Sequence, residues 1–245
     1  MNDYVFVILR HIGKPLHHQY WEKCYKSIRK FHGNDVLIVI IDDNSKLKAK
    51  SINEIMNENE NTLIYHTENN LVGKGEILPY IYFLTWKWKP YMICLHDSME
   101  LNKAVPCLNH FDDLLLVRFH WFFSTNKHNN VIKINNMLSV LKNPPIHNDD
   151  GNGNKNIYCF GGMSTISLKL VELLDQRYNI CQSIHPLIKD RSDRMAFERI
   201  FGIVCSDYIV ESLCGNIFDY PQSFMPNKNP PSDYNGVLIK RWIGR

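Results

Sequence analysis

The chain has 245 residues, 44% of them hydrophobic and 22% charged, with a formal net charge of +3. That length and apolar content bury one sizeable core without staples, which excludes global disorder, and a charge so near zero, with no run of lysines or arginines, gives no footprint for nucleic acid. Seven cysteines, an odd number without a C-x-x-C pair, fit neither a zinc ribbon nor a disulfide framework and read as free thiols in a reducing compartment.

Tyr4–Leu9 is a wholly apolar, β-branched run, as expected of a strand covered on both faces in a parallel sheet. Residues 17–31 place Tyr20, Cys24, Ile28 and Phe31 near helical spacing, and His32-Gly33-Asn34-Asp35 closes that helix. Val36–Ile41 is a second buried strand, ending in Asp42-Asp43-Asn44-Ser45. A helix is expected over 46–58 and a third strand over Thr62–His66. This alternation predicts a parallel sheet with right-handed crossovers, whose ligands bind beyond the carboxyl ends of the strands.

Gly73-Lys74-Gly75-Glu76 opens a helix over 76–88, with Pro79 tolerated in its first turns. Tyr91–Leu95 is a fourth buried strand, stopping at His96-Asp97-Ser98, and Leu114–Phe119 a fifth. A helix over 130–142 leads into a Pro/Asn/Gly/Asp-rich loop, 143–156. Residues 157–167 read as extended, 168–178 and 192–204 as helices, and the chain from about 215 as a Pro- and Asn-rich tail. Lys240, Arg241 and Arg245, the densest basic group, read as a solvated tail, with phosphate contact as the alternative. No apolar stretch approaches the ~18 residues of a membrane span, and the first residues lead straight into a strand. The expectation is a soluble cytoplasmic protein of one domain, 1–245.

Four constellations carry candidate chemistry. The carboxylates of Asp42 and Asp43 suit a ribose or base, or else cap a helix. His96-Asp97-Ser98 offers one carboxylate and one imidazole for Mn²⁺ or Mg²⁺ at a leaving diphosphate, with Asp97 as the ligand, or else a strand-end cap. The Gly73–Glu76 turn, with Lys74, suits phosphate, although it is neither a Walker loop nor a dinucleotide fingerprint. Asp190–Phe201 crowds Asp190, Arg191, Asp193, Arg194, Glu198 and Arg199 at one helix start. There Glu198 is a candidate general base and Arg191 or Arg194 a phosphate partner, against a plain Arg194–Glu198 surface pair.

In this order the pieces resemble the GT-A glycosyltransferases, and among them an inverting family with many small viral and bacterial members. Asp42-Asp43-Asn44-Ser45 is similar to that family's Asp-Asp-Gly-Ser, Asn70 to Glu76 to its Asn-x-Gly stretch, and Phe160-Gly161-Gly162-Met163 to its acceptor-side segment. His96-Asp97-Ser98 stands where the metal-binding DXD motif belongs, and Glu198-Arg199 where a Glu-Asp pair holds the catalytic base. Short motifs such as Leu9-Arg10-His11 and Glu198-Arg199-Ile200-Phe201-Gly202 also resemble a narrower group of giant-virus proteins, which implies a location in host cytoplasm or virion.

The resemblance implies an α/β fold: a single GT-A, Rossmann-like domain with a mostly parallel central sheet flanked by helices. Its nucleotide-binding half is 1–100 and its acceptor-binding half 101–245. It implies sugar transfer from a nucleotide-sugar to a glycan or protein acceptor, with Glu198, or alternatively Asp193, as catalytic base. Donor contacts fall to Arg10, His11, Asp42, Asp43, Lys74, Glu76, His96, Ser98 and Arg194, and the divalent metal, Mn²⁺ or Mg²⁺, to Asp97. Two departures stand out: DXD is reduced to one acid, and the second residue of the Glu-Asp pair is Arg199. The alternatives are a non-catalytic nucleotide- or sugar-binding protein and an AdoMet methyltransferase, the latter opposed by the missing Gly-rich turn after Leu9.

Overall fold

The computed structural model describes residues 3–47, 61–68, 70–71, 73–106, 115–124, 131–145, 157–219 and 232–241. The helix expected over 46–58 and most of the 143–156 loop lie outside the described residues.

Strand β1 (Tyr4–Arg10) is buried along almost its whole length, as its unbroken β-branched run requires. Helix α1 (His17–His32) carries Arg29, Lys30 and His32 in its last turn, where cations complement the helix dipole. Next come β2 (Leu37–Asp42) and β3 (Thr62–His66). A 3-10 turn, Gly75–Ile77, then feeds α2 (Leu78–Trp86), whose Pro79 sits in the first turn.

Strand β4 (Tyr91–His96) is followed by the short strands β5 (Met99–Leu101), β6 (Val117–Phe119) and β7 (Phe122–Phe123), then helix α3 (Val131–Ser139). The extended segment expected over 157–167 is two strands, β8 (Tyr158–Cys159) and β9 (Ser164–Ser167), separated by a 3-10 turn at Phe160–Gly162. Helix α4 (Leu168–Tyr178) is capped by Ser167, whose hydroxyl accepts the Leu170 N–H. After α5 (Ile180–Ile184), helix α6 (Arg191–Val204) opens on a capping box in which Asp190 and Asp193 exchange hydrogen bonds. Strands β10 (Ile209–Ser212) and β11 (Leu238–Lys240) complete the chain.

The main sheet has seven strands in the order β10-β6-β9-β4-β1-β2-β3. Strand β1 pairs in parallel with both β2 and β4, β2 with β3, and β10 with β6; only β9 runs antiparallel to its neighbours. The sheet is therefore mostly parallel, with helices on both faces. The chain leaves β1 toward β2 and β3, then returns to β1's other side as β4. That reversal is the switch point at which open α/β sheets bind their ligands, beyond the carboxyl ends of β1 and β4.

The alternating side chains of β1 divide the core. Val5, Val7 and Leu9 join α2, α4 and α6 on one face, and Phe6 and Ile8 join Trp21, Cys24 and Ile28 of α1 on the other. Gly202 of α6 meets β8 backbone to backbone: an added Cβ would stand 2.5 Å from the Ile157 carbonyl oxygen. Strand β11 pairs antiparallel with β5, bringing the tail back beside β4. Among the described residues no helix is long and apolar enough to cross a membrane, and six cysteines are free thiols, five of them buried.

Candidate active site

A cavity of about 580 Å³ opens at the carboxyl ends of β1 and β4, under the start of α6. Arg10, His11 and Asp43 line it from the ends of β1 and β2, His96, Asp97 and Ser98 from the end of β4, Gly75 and Glu76 from the turn bonded to Asp43, and Arg191, Arg194, Glu198 and Arg199 from α6. Phe123, Phe160, Met195 and Phe218 supply apolar surface, and Phe218 is 65% exposed. Lys240 and Arg241 close the ring.

The first residues beyond β1 tie two acids together. The His11 backbone N–H donates to Asp97 Oδ2 at 2.9 Å, and the His11 Nδ1 lies 2.7 Å from the Asp43 carbonyl oxygen. A carbonyl can only accept, so Nδ1 carries the proton in that contact. The Asp43 carboxylate accepts the Gly73 N–H at 2.6 Å and the Gly75 N–H at 3.1 Å, clamping the glycine-rich turn over the cleft. Burial pushes the Asp43 carboxyl up, against the pull of those two N–H groups. Gly75 has φ +58°, and a Cβ there would stand 2.5 Å from Arg194 Cδ; glycine lets α6 bring Arg194 in.

Asp42 is elsewhere. Registered opposite Arg10 across β1 and β2, it accepts that guanidinium's Nε at 2.6 Å and lies 2.6 Å from its Nη2. It also accepts the Ser45 N–H and hydroxyl, at 3.0 and 2.8 Å, and its Oδ1 lies 3.9 Å from His66 Nδ1. Asp42 does not line the cavity, and its carboxylate staples β1 to the loop after β2. Arg10, 1% exposed, does reach the cavity lining; its Nη1 is buried with no hydrogen-bond partner among the described residues.

On α6 the Glu198 carboxyl is strongly perturbed. Burial pushes the Glu198 carboxyl up to about 8; the nearby Glu76 charge adds to this, while the Gly161 N–H and Arg199 pull the other way. Glu76 is pushed up by burial too, against Arg194, and its Oε2 is buried without a hydrogen-bond partner among the described residues. Burial and the like charge of Glu76 both favour the protonated form of Glu198. The guanidinium of Arg199, at the position of the expected second acid, lies over the rings of Phe123 and Tyr158 at 5.1 and 5.7 Å and donates to the Met195 carbonyl.

Three expected positions have other tasks. Lys74 donates to the Ile188 carbonyl at 2.8 Å and does not line the cavity. Asp193, also outside the lining, accepts the Lys189 and Asp190 N–H groups and pairs with Lys133 at 2.5 Å. Burial opposes its ionisation, but Lys133 and those N–H groups hold its carboxyl below the usual range. It fixes the helix start that aims Glu198. The third is the tail. Lys240 and Arg241 are 7% and 6% exposed, so the solvated reading of this basic group is corrected. Lys240 Nζ donates to Ser98 Oγ at 2.6 Å, and Arg241 pairs with Glu100 at 3.1 Å. In the sequence, phosphate contact is only the alternative for these two, although Val237-Leu238-Ile239 after Asn235-Gly236 is a strand signal.

No family model matches the chain, and no curated protein matches it in sequence. Solved structures do match in fold. The chain is similar to the crystal structure of S. aureus TarS residues 1–349, with a TM-score of 0.51 at 13% identity, covering 86% of this chain and 58% of that one. The same TarS fragment in complex with UDP gives 0.50 at 13% identity, over 86% of this chain and 57% of that one. Core-mannan synthase A from Aspergillus fumigatus, in an Mn/GDP form, gives 0.51 at 10% identity, over 86% and 73%.

The fold is that of the GT-A glycosyltransferases. At these identities the likeness carries the GT-A fold alone, and chemistry has to be read from the cleft.

A divalent metal is what the GT-A fold implies at His96-Asp97-Ser98, and the residues there do not fit one. Asp97 is the only acid of the triplet, 1% exposed, and its Oδ2 already accepts the His11 N–H. The adjacent Ser98 hydroxyl is taken by the Lys240 ammonium, and a cation in that place repels a second cation. Among the described residues no group of three His, Cys, Asp or Glu side chains could hold a metal ion.

Proposed function

We propose that the protein is a glycosyltransferase that moves a sugar from a nucleoside-diphosphate-sugar to an acceptor hydroxyl with inversion. The observation that carries this reading is the meeting, in one cleft at the sheet's switch point, of Asp43 and Asp97 with Glu198 of α6. The fold it shares with TarS and core-mannan synthase A supports the donor class. The first hundred residues supply the donor side of the cleft and most of the remainder the acceptor side.

In this reading the nucleoside lies along the Asp43 and Gly73–Gly75 turn, and the diphosphate extends over Ser98 toward the cationic side chains of the cleft, Arg191 and Arg194 among them. Glu198 takes the proton of the acceptor hydroxyl as the acceptor oxygen bonds to the anomeric carbon. The bond from that carbon to the diphosphate oxygen breaks, and the nucleoside diphosphate leaves with the electron pair. A carboxyl poised at about 8 suits this role, because an effective general base titrates near working pH. Glu76 raises that value through its charge, and Arg199 moderates it.

Phe123, Phe160, Met195 and Phe218 form the apolar acceptor side, which suits a glycan or a protein segment. Release of nucleoside diphosphate from a panel of UDP- and GDP-sugars, with and without simple sugars as acceptors, tests the reading. Release with at least one donor, abolished in Glu198→Gln, is expected. Binding of nucleotide without any release would make the protein a non-catalytic nucleotide binder.

A further inference from the structure

Six cationic side chains line the cleft, against four carboxylates. Of these cations, Arg10 is committed to Asp42 and Arg241 pairs with Glu100. Lys240 is different. Lysine is almost never fully buried unless it is paired, yet Lys240 is 7% exposed and its ammonium donates to a neutral hydroxyl, Ser98 Oγ, at 2.6 Å. Its charge is offset at longer range by Glu76 and Glu198 across the cavity. An ammonium has three donors, so a cleft ligand can be met without breaking the Ser98 contact. The position is fixed: β11 pairs with β5, and the Arg241 N–H donates to the Ser98 carbonyl at 2.9 Å. Lys240 thus stands at Ser98, the residue after Asp97, in the triplet where the GT-A fold carries its metal.

We infer that β11 supplies the cation a divalent metal would otherwise provide: Lys240, oriented by Ser98 with Arg241 beside it, binds the donor's diphosphate, and sugar transfer proceeds without a divalent ion. This rests on the glycosyltransferase reading. When the bond between the anomeric carbon and the diphosphate oxygen breaks, the electron pair stays on that oxygen. Lys240 meets the new charge as a hydrogen-bond donor and keeps its proton, while the acceptor's proton goes to Glu198. An ammonium already held at the site needs no reorganisation when charge develops.

The test is calorimetric titration of the full chain with UDP, GDP and inorganic pyrophosphate, in EDTA and in Mn²⁺. The wild-type protein is expected to bind a nucleoside diphosphate equally well under both conditions. Lys240→Met, with its fold checked by circular dichroism, should weaken binding in EDTA by about tenfold to a hundredfold, the usual loss for a charged hydrogen-bond partner. Should Lys240→Met not fold, the wild-type arm in EDTA still decides, and Ser98→Ala should weaken binding about fivefold by freeing the ammonium. Binding that requires Mn²⁺, or that is unchanged in Lys240→Met, overturns the inference and leaves the glycosyltransferase reading standing. Pyrophosphate bound in EDTA and lost in Lys240→Met, with no nucleotide bound, supports the cradle and sinks the nucleotide-sugar reading. No binding of any of the three overturns both.

Discussion

Along the β1–β2 side of the cleft each carboxylate is tied down, whereas the titratable groups of the Gly75–Ile77 turn, α6 and β11 have few local bonds. Asp42 accepts from Arg10 and Ser45, and Asp43 from Gly73 and Gly75. By contrast, Glu76 has an oxygen without a partner among the described residues, Glu198 holds its proton to about 8, and Lys240 is pulled down by burial to about 8. The difference separates frame from reagent. A carboxylate with as many bonds as Asp42 fixes loops, Asp43 keeps acceptor capacity on both oxygens beside its two N–H bonds, and a half-satisfied one such as Glu76 is poised to change state. Perturbed titratable groups gather at functional sites for this reason.

The largest effect expected from this contrast is on the reagent side. Glu198→Gln should lower the turnover of a nucleotide-sugar by about 10²–10⁴-fold, the usual contribution of a general base, while leaving nucleotide affinity intact. Steady-state kinetics beside calorimetry separates the two, and equal loss of affinity would put Glu198 among the binding groups.

On the frame side, Asp42→Ala should strand Arg10 as a buried, unpaired cation and cost about 3–5 kcal/mol. For a chain of this size that lowers the melting temperature by about 10 °C. An unchanged melting temperature with lost nucleotide binding would break the contrast, since Asp42 would then be a ligand group.

The pH dependence sharpens it further. Glu198's carboxyl is raised in the fold from the ordinary 4.5 to about 8, so the folded protein holds a proton there that the unfolded chain has lost. Its stabilising share is full below about pH 4.5 and is lost as pH rises through about 8. Glu198→Gln should therefore gain stability on the wild type between those values, read from melting temperatures across that range. By the same shift, wild-type kcat/KM should rise with the base form of Glu198 toward pH 8, well above the ordinary carboxylate range, and fall beyond it as Lys240, also near 8, loses its proton.

Smaller effects are expected at supporting positions. Gly75→Ala should cost about 1–3 kcal/mol through its positive φ and its clash with Arg194, visible as a lower melting temperature. Arg199→Met, which removes the contact over Phe123 and Tyr158, should cost about 0.5–1 kcal/mol in denaturant titration.

The parts legible in the sequence are those written in long local signals. Strands β1, β2 and β4 are continuous apolar runs because both faces of a parallel strand are covered, and α1 and α6 show helical spacing over several turns. Asp43, Asp97 and Glu198, which line the cleft, are legible because acids at strand ends and helix starts stand out against apolar flanks. Asp42 and Asp43 look alike in sequence, yet Asp42 is the last residue of β2 and pairs with Arg10, while Asp43 lies just past the strand and lines the cleft. The pairing of Asp42 with Arg10 depends on strand register, which composition does not show. Strands β5, β7, β10 and β11 are two to four residues long, too short for a period to be read. Lys240 meets Ser98 across 142 residues of chain, and only the folded sheet brings them together.

The most direct test is a crystal structure of the protein with UDP or GDP bound in the presence of EDTA. The account predicts a diphosphate beside Lys240 and Ser98, with the nucleoside running toward Asp43 and the Gly73–Gly75 turn. A nucleotide seated on another face of the sheet, or lying in this cleft with its phosphates turned away from Lys240, would contradict it.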